Sequence, residues 1–459
     1  MKKLIGSKGF YKMVLAICIP IVIQNGFTNL ASLLDNIMIG QLGTLSMSGV
    51  SITNQLLQVF NVTIFGAMSG PGIFMAQFYG KKNKEGVENC FRIKLIIGII
   101  IALLAIFLFY TFGQQFISLY LNDNPQDSLK TLNYGMNYLK IMLVGLIPFV
   151  ITQVYSSSLR ETGNTILPMI ASVVAVIVNF CINYILIFGH FGFPEMGIQG
   201  AAVGTLTARM LELLIIVVYI WKIDTKVRLF DINLFRIIFL PENRKIWGAF
   251  FKVAFPIMCS GMIWAISVPM QTAILGHLSA DAIAANSVSS TFFQYLKVIV
   301  IAISSASAVV IGKDIGEGDI ERVKSDGRTL SVIDVLIGIV LASLLFVLRG
   351  PLLSMYKLTD TAAVLANHFI MIMSVVMVGM SYQMPVSVGV IQGGGDTRFS
   401  MYMNMISTWG IVMPLSFLAA FVWKLPVELV VVAVQSDQLF KGIPVFLRFR
   451  SYKWIHKLT

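Results

Sequence analysis

Charge is scarce in this sequence. Asp, Glu, Lys and Arg supply 12% of the 459 residues, whereas soluble domains carry about 25%, so an ordinary soluble fold is excluded. Cysteine is also rare. Cys18, Cys90, Cys181 and Cys259 are scattered, three of them in apolar runs, which leaves neither a disulfide framework nor a zinc cluster to expect. The four histidines are equally isolated. Within the apolar runs no Ser/His/Asp set, metal cluster or pair of carboxylates occurs at a workable spacing, so neither an enzyme nor a cofactor is expected. Strict apolar/polar alternation is missing as well, which excludes a membrane β-barrel. A cleavable signal peptide is not expected, because the basic start MKKLIGSKGFYK leads into an apolar run of full spanning length with no small-residue cleavage site.

What the sequence does hold is apolar length. Hydrophobic residues make up 57%, collected in runs of at least the 20 or so residues that cross a bilayer. Twelve spans are predicted, at about 13–39, 46–78, 92–112, 134–159, 165–189, 198–222, 248–275, 282–313, 329–348, 366–391, 399–423 and 426–447. The connectors are short and carry Gly, Asn, Asp and Pro. Lys and Arg are distributed asymmetrically. The two termini and the connectors after even-numbered spans hold 27 of the 34, and the other side holds Lys130, Arg349, Lys357 and Lys424. By the positive-inside rule both termini are cytoplasmic. The formal charge of +12 is therefore a topology signal and not a nucleic-acid footprint.

The chain repeats itself at an offset of 236 residues. Pro20 matches Pro256, Gly40 matches Gly276, Ser51 matches Ser287, Gln58 matches Gln294 and Ser69 matches Ser305. The match continues through Gly80/Gly316, Glu85/Glu321, Val87/Val323 and Arg92/Arg328, and a second block at offset 232 sets Gly163-Asn164-Thr165 against Gly395-Asp396-Thr397. Six spans per half make the repeats parallel, and a substrate cavity is expected where parallel repeats meet. The predicted architecture is an all-α polytopic membrane protein: an amino-terminal six-helix lobe (1–222), a basic cytoplasmic linker (223–247) and a carboxyl-terminal six-helix lobe (248–459).

Span 1 carries the most chemistry. In PIVIQNGFTNLASLLDNIMIGQLG, the ladder Gln24, Asn25, Thr28, Asn29, Ser32, Asp35 and Asn36 interrupts the apolar run. Residues 25, 28, 29, 32, 35 and 36 share one helix face, which must meet protein or a wet cavity. A carboxylate in a span costs about 2.5–3.5 kcal/mol on insertion scales, so Asp35 is a functional candidate; the competing reading lets it reach interfacial water at the span's outer end. Asn179 and Asn183 lie one turn apart in span 5 and form a polar patch, for a neighbouring carboxylate or for helix–helix hydrogen bonding. Arg209 and Glu212 in span 6 are at i, i+3 spacing, suited to a structural ion pair or to a proton path. Asp334, six residues beyond Arg328, is expected near the cytoplasmic interface. The stretch Gly393-Gly394-Gly395-Asp396-Thr397 lacks the strand and lysine of a P-loop and reads as a turn.

Several of these segments together resemble the multidrug and toxic compound extrusion (MATE) family across essentially the whole chain. They are Asp35-Asn36-Ile37-Met38-Ile39-Gly40-Gln41-Leu42-Gly43, the paired connectors QFYGKKNKEGVENCFR and KDIGEGDIERVKSDGR, the two G-[ND]-T turns, NFCINYILIFG, GIQGAAVGT and the ending RFRSYKWIHKLT. The resemblance implies an antiporter in the cell membrane that exports amphipathic organic compounds by alternating access in exchange for H⁺ or Na⁺. It places cation coupling at Asp35 with Asn179, Asn183 and Thr205. At position 183 the family often has a second aspartate, and this chain has asparagine. The carboxylates that relatives use in spans 7 and 10 are absent too, where Gln271 and Gln383 are candidate cavity residues beside Gln24, Asn25, Thr28, Asn29 and Ser32. A monomer with small-molecule substrates and lipid as its partners is expected, and no nucleic acid. The alternative function is a lipid-linked saccharide flippase of related fold. A major-facilitator transporter shares the span count, but its connector signature after span 2 is absent.

Overall fold

The computed structural model describes residues 8–121, 125–222, 243–354, 356 and 358–459. Most of the expected linker, 223–242, lies outside the described residues, as does Lys357 of the sparse charge side. Helices dominate, and the one sheet-like pairing among the described residues is an isolated bridge between Gly395 and Ile455. In chain order the helices are α1 (Lys8–Gly40), α2 (Thr44–Gly80), α3 (Lys84–Ser118), α4 (Pro125–Val144), α5 (Leu146–Glu161), α6 (Ile166–Phe188), α7 (Ile198–Lys222) and α8 (Asn243–Gly276). They continue with α9 (Ala280–Glu317) and α10 (Ile320–Leu353), then α11 (Asp360–Ile391), α12 (Thr397–Val422) and α13 (Val427–Ser451). Among the described residues eleven helices are long and apolar enough to cross a bilayer, and the pair α4–α5, bent by 50°, brings the number to twelve if it is counted as one broken span.

Several helices outrun the spans expected of them. The 37 residues of α2 cover about 55 Å at 1.5 Å per residue, nearly twice the hydrocarbon thickness. The basic connectors are consequently helix ends joined by tight turns, built alike in both halves. Asn83 caps α3 by accepting from Gly86 N at 3.0 Å, and its repeat mate Asp319 caps α10 by accepting from Arg322 N at 3.0 Å. The residues just before these caps, Lys82 (φ 57°) and Gly318 (φ 86°), both adopt the left-handed conformation. The G-[ND]-T turns match likewise: Asn164 N donates to Leu159 O at 2.8 Å and Asp396 N to Ile391 O at 3.2 Å. In α11 and α12, wide turns such as Gln392 N to Ser387 O and Trp423 N to Leu418 O follow Pro385 and Pro414, each of which removes a helical donor.

The described residues pack as two compact units: those within 1–22, 76–82 and 251–459 form one, and those within 23–75 and 83–250 form the other. We call these the carboxyl-terminal and amino-terminal units. In the first, Phe10, Val14, Ile17 and Ile21 of α1 join Ala302, Ala306 and Val310 of α9, Leu330 of α10 and Val386 of α11 in one apolar core. Its tail is tied down by α2, where Gln77 Nε2 donates to His456 O at 3.0 Å and Gln77 Oε1 accepts from Leu458 N at 2.9 Å. A side chain at Gly394 would sit 2.4 Å from the buried Trp454 ring. That close approach explains the glycine-rich turn in packing terms.

Candidate functional site

Asp35 lies near the end of α1, half-buried, and α6 supplies its partners. Asn183 Nδ2 donates to Asp35 Oδ1 at 2.7 Å. Asn179, one turn earlier, presents its amide to the same oxygen. In the orientation that satisfies both ends of the carboxamide, its nitrogen donates to Asp35 Oδ1 at 3.1 Å and its oxygen accepts from Thr205 N at 3.2 Å. The opposite orientation leaves only two 3.4 Å contacts, to Thr205 Oγ1 and from Asn183 Nδ2, so the first is the better assignment. Both donors converge on Oδ1, and no described residue donates to Oδ2. A carboxylate held this way by neutral amides keeps its charge uncompensated and one oxygen available, which suits it to take up a proton or a small cation.

The neighbours of these residues set the geometry. On α7, Gly200 and Gly204 are spaced as Gly-x-x-x-Gly, the small-residue pattern that brings membrane helices close. A Cβ at Gly200 would be 2.7 Å from the Leu186 backbone, and one at Gly204 would be 1.9 Å from Asn183 Oδ1. The glycines therefore seat α6 against α7 with Asn183 fully buried and beside Asp35. On the opposite side, Gly49 of α2 meets the backbone of Thr131 and Gly135 in α4, and Thr53 Oγ1 is 3.2 Å from Gly135 O. This packing places the Tyr138 hydroxyl near Thr205, Asn54 and Asp35. Tyr138 and Asn54 carry no distinguishing signal in the sequence, where each stands among other polar residues, Asn54 beside Thr53 and Gln55 and Tyr138 beside Asn137. The Gly-x-x-x-Gly signal, by contrast, stood in GIQGAAVGT.

The remaining candidates fall elsewhere. Along α1, Thr28 Oγ1 donates to Gln24 O and Ser32 Oγ to Thr28 O, so these hydroxyls are satisfied by their own helix. Gln24 is buried, Asn25 half-buried and Asn29 exposed. Arg209 stacks on Phe149 at 4.7 Å; it interacts with Glu212 through charge, as does Arg160. In the carboxyl-terminal unit Gln271 is half-buried, and Gln383 opens a polar chain. Gln383 Nε2 donates to Gln438 Oε1 at 2.8 Å, Gln438 to Asp437 Oδ1 at 2.9 Å, and Lys441 Nζ to Asp437 Oδ2 at 2.7 Å. Lys441, counted in the sequence with the cytoplasmic charges, is thus a buried ion-pair member. Lys94 is another, fully buried against Glu161 and donating to Ser157 at 3.1 Å.

The MatE family model matches residues 20–185 and 256–418, once in each half. A probable multidrug resistance protein NorM of Thermotoga maritima is 24% identical over 450 residues, covering 96% of this chain and 93% of the relative. The multidrug resistance protein MdtK of Pectobacterium atrosepticum is 22% identical, covering 88% and 86%. Among solved structures, a mutant of the Vibrio cholerae MATE transporter VcmN superposes with a TM-score of 0.85 at 19% identity, covering 98% of both chains. A MATE in complex with MaL6 gives 0.84 at 20% identity, covering 97% of this chain and 98% of the other. The family model spans most of both halves, and the fold, the repeat and the span count agree with it: the chain belongs to the MatE family of membrane transporters, and not to the enzymes.

Proposed function

We propose that this transporter exports small amphipathic organic compounds across the cell membrane in exchange for a monovalent cation, H⁺ or Na⁺, bound at Asp35. The observation that carries the reading is the 2.7 Å donation from Asn183 to Asp35 Oδ1 inside a span otherwise built of apolar and neutral residues. The names of the relatives, multidrug resistance proteins, support the substrate class and add nothing to the saccharide-flippase alternative. Cation uptake at Asp35 neutralises a charge and changes which partners α1 prefers. A difference of this kind between two states is what lets a bound ion drive alternating access. Asn179, Asn183, Thr205 and Tyr138 position the carboxylate. Gln24, Asn25, Thr28, Asn29, Ser32, Gln271 and Gln383 are the proposed polar lining for substrate, and Arg209 with Glu212 is a charge pair beside the coupling site. A monomer with cytoplasmic termini completes the proposal.

Purified protein in lipid vesicles, assayed with separate pH and Na⁺ gradients, tests it. Asp35→Asn keeps size and hydrogen-bonding capacity but removes the titratable charge. It is expected to insert and bind substrate normally and to lose gradient-driven transport. Normal gradient-driven efflux by this variant at wild-type abundance would sink the coupling role.

A further inference from the structure

The carboxyl-terminal unit holds a second isolated carboxyl group, Asp334, on the buried face of α10. The residue is 1% exposed. Neither of its side-chain oxygens has a hydrogen-bond partner among the described residues, and no cation there pairs with it. Its surroundings are apolar. Leu330, one turn before it, belongs to the core shared with α1, α9 and α11, and Ile333 and Ile337 pack against that core. The titratable groups near it are Cys18 of α1 and Tyr382 of α11, both within reach of its charge. The nearest cation along its own helix, Arg328, is already committed to the Tyr452 hydroxyl at 2.7 Å. Whatever its depth along α10, Asp334 is shut off from water. Two further hydroxyls in the same region, of Ser381 and Tyr382, also lack partners. Ser381 lies against Gly338, one turn beyond Asp334, where a Cβ would come within 2.7 Å of its own.

An ionised carboxylate so placed would face a desolvation cost of many kcal/mol with nothing to offset it, and such groups neutralise instead. A sodium ion would need several oxygens arranged around it; this region offers one carboxyl group and two hydroxyls. A proton needs only one oxygen. We propose that Asp334 is a second proton-binding site of this transporter: it holds H⁺ on its carboxyl group while α1, α10 and α11 are packed as here, and exchanges it only when those helices part. The chemistry balances simply, since one O–H bond forms or breaks and the proton passes to or from water admitted by the opening. The proposal rests on the transporter reading but not on Asp35 as coupling site.

Infrared difference spectroscopy of the purified chain in lipid nanodiscs, with pH jumps and H/D exchange, tests it without transport. The wild type is expected to show a protonated-carboxyl C=O band at neutral pH that exchanges slowly with D₂O. The band should persist in Asp35→Asn and vanish in Asp334→Asn. If Asp334→Asn does not accumulate, Asp334→Glu, which keeps a carboxyl group, should shift the band. A spectrum without such a band, a band unchanged in both Asp334 variants, or one abolished by Na⁺ at constant pH would overturn the proposal. Loss of the Asp35 coupling role with the Asp334 band intact would overturn only the coupling reading above.

Discussion

At the scale of the residue, Asn183 is the hinge of the coupling reading, and Gly204 holds it there. A methyl group at 204 would fall 1.9 Å from Asn183 Oδ1, at the far end of a side chain, whereas one at Gly200 would strike the Leu186 backbone. Gly204→Ala is therefore expected to displace the Asn183 amide while sparing the fold. Losing a hydrogen bond to a charged group costs about 1.5–3 kcal/mol, so cation-driven transport should fall about ten-fold or more with membrane abundance unchanged. Gly200→Ala should instead separate α6 from α7 and lower the yield. Normal coupling in Gly204→Ala would detach Asn183 from the mechanism. Asn183→Asp makes the complementary test. Two carboxyl groups at 2.7 Å cannot both ionise freely and titrate as a pair, so transport should acquire an additional step in its pH dependence that the wild type lacks. Asp35, Asn179 and Asn183 were legible in the sequence because polar residues in an apolar span stand out. Tyr138 and Asn54 were not, because their value lies in a meeting of α2, α4 and α7 that no spacing announces.

At the scale of the element, the instructive case is the pairing of α3 with α5. In the sequence Lys94 stands at the very start of span 3, among the 27 basic residues assigned to the cytoplasmic side; in the structure its ammonium is sealed against Glu161. A Cβ at Gly72 of α2 would lie 2.2 Å from the Glu161 carboxylate, so three helices close over this pair. Breaking a buried pair by removing one partner costs about 3–5 kcal/mol, since it strands the other charge, while replacing both with apolar residues is often neutral. Lys94→Met should accordingly unfold at a markedly lower denaturant concentration in detergent. The double variant Lys94→Met/Glu161→Met should regain most of that loss. Equal loss in single and double variants would mean that packing, and not stranded charge, is at stake. A basic-residue count reads Lys94 and Lys441 as interfacial because the acids that neutralise them, Glu161 and Asp437, are assigned by tertiary contact. The turns were more legible. Cap residues Asn83 and Asp319 and the G-[ND]-T motifs act over three to five residues, a range a sequence displays directly.

At the scale of the whole molecule, the repeat and the charge asymmetry together define an orientation that can be measured. The repeat was legible because turn chemistry is copied between halves: Lys82 and Gly318 occupy one left-handed position 236 residues apart. Less legible was how the chain divides into packed units. Residues 8–22 of α1 and 76–80 at the end of α2 pack with the second half. Lys82, in the basic connector between α2 and α3, and Lys424, between α12 and α13, are both exposed. Only the side of the membrane therefore decides which an impermeant reagent reaches. The positive-inside rule puts Lys82 with the 27 cytoplasmic charges and Lys424 with the four opposite. With the four native cysteines, all free, replaced by alanine, Lys424→Cys should react with a membrane-impermeant maleimide added to intact cells. Lys82→Cys should react only after permeabilisation. The reverse pattern would turn the molecule over and put Asp35, near the end of α1 that leads away from the amino terminus, at the cytoplasmic face. A carboxyl group there could not be the first to meet a cation entering from outside.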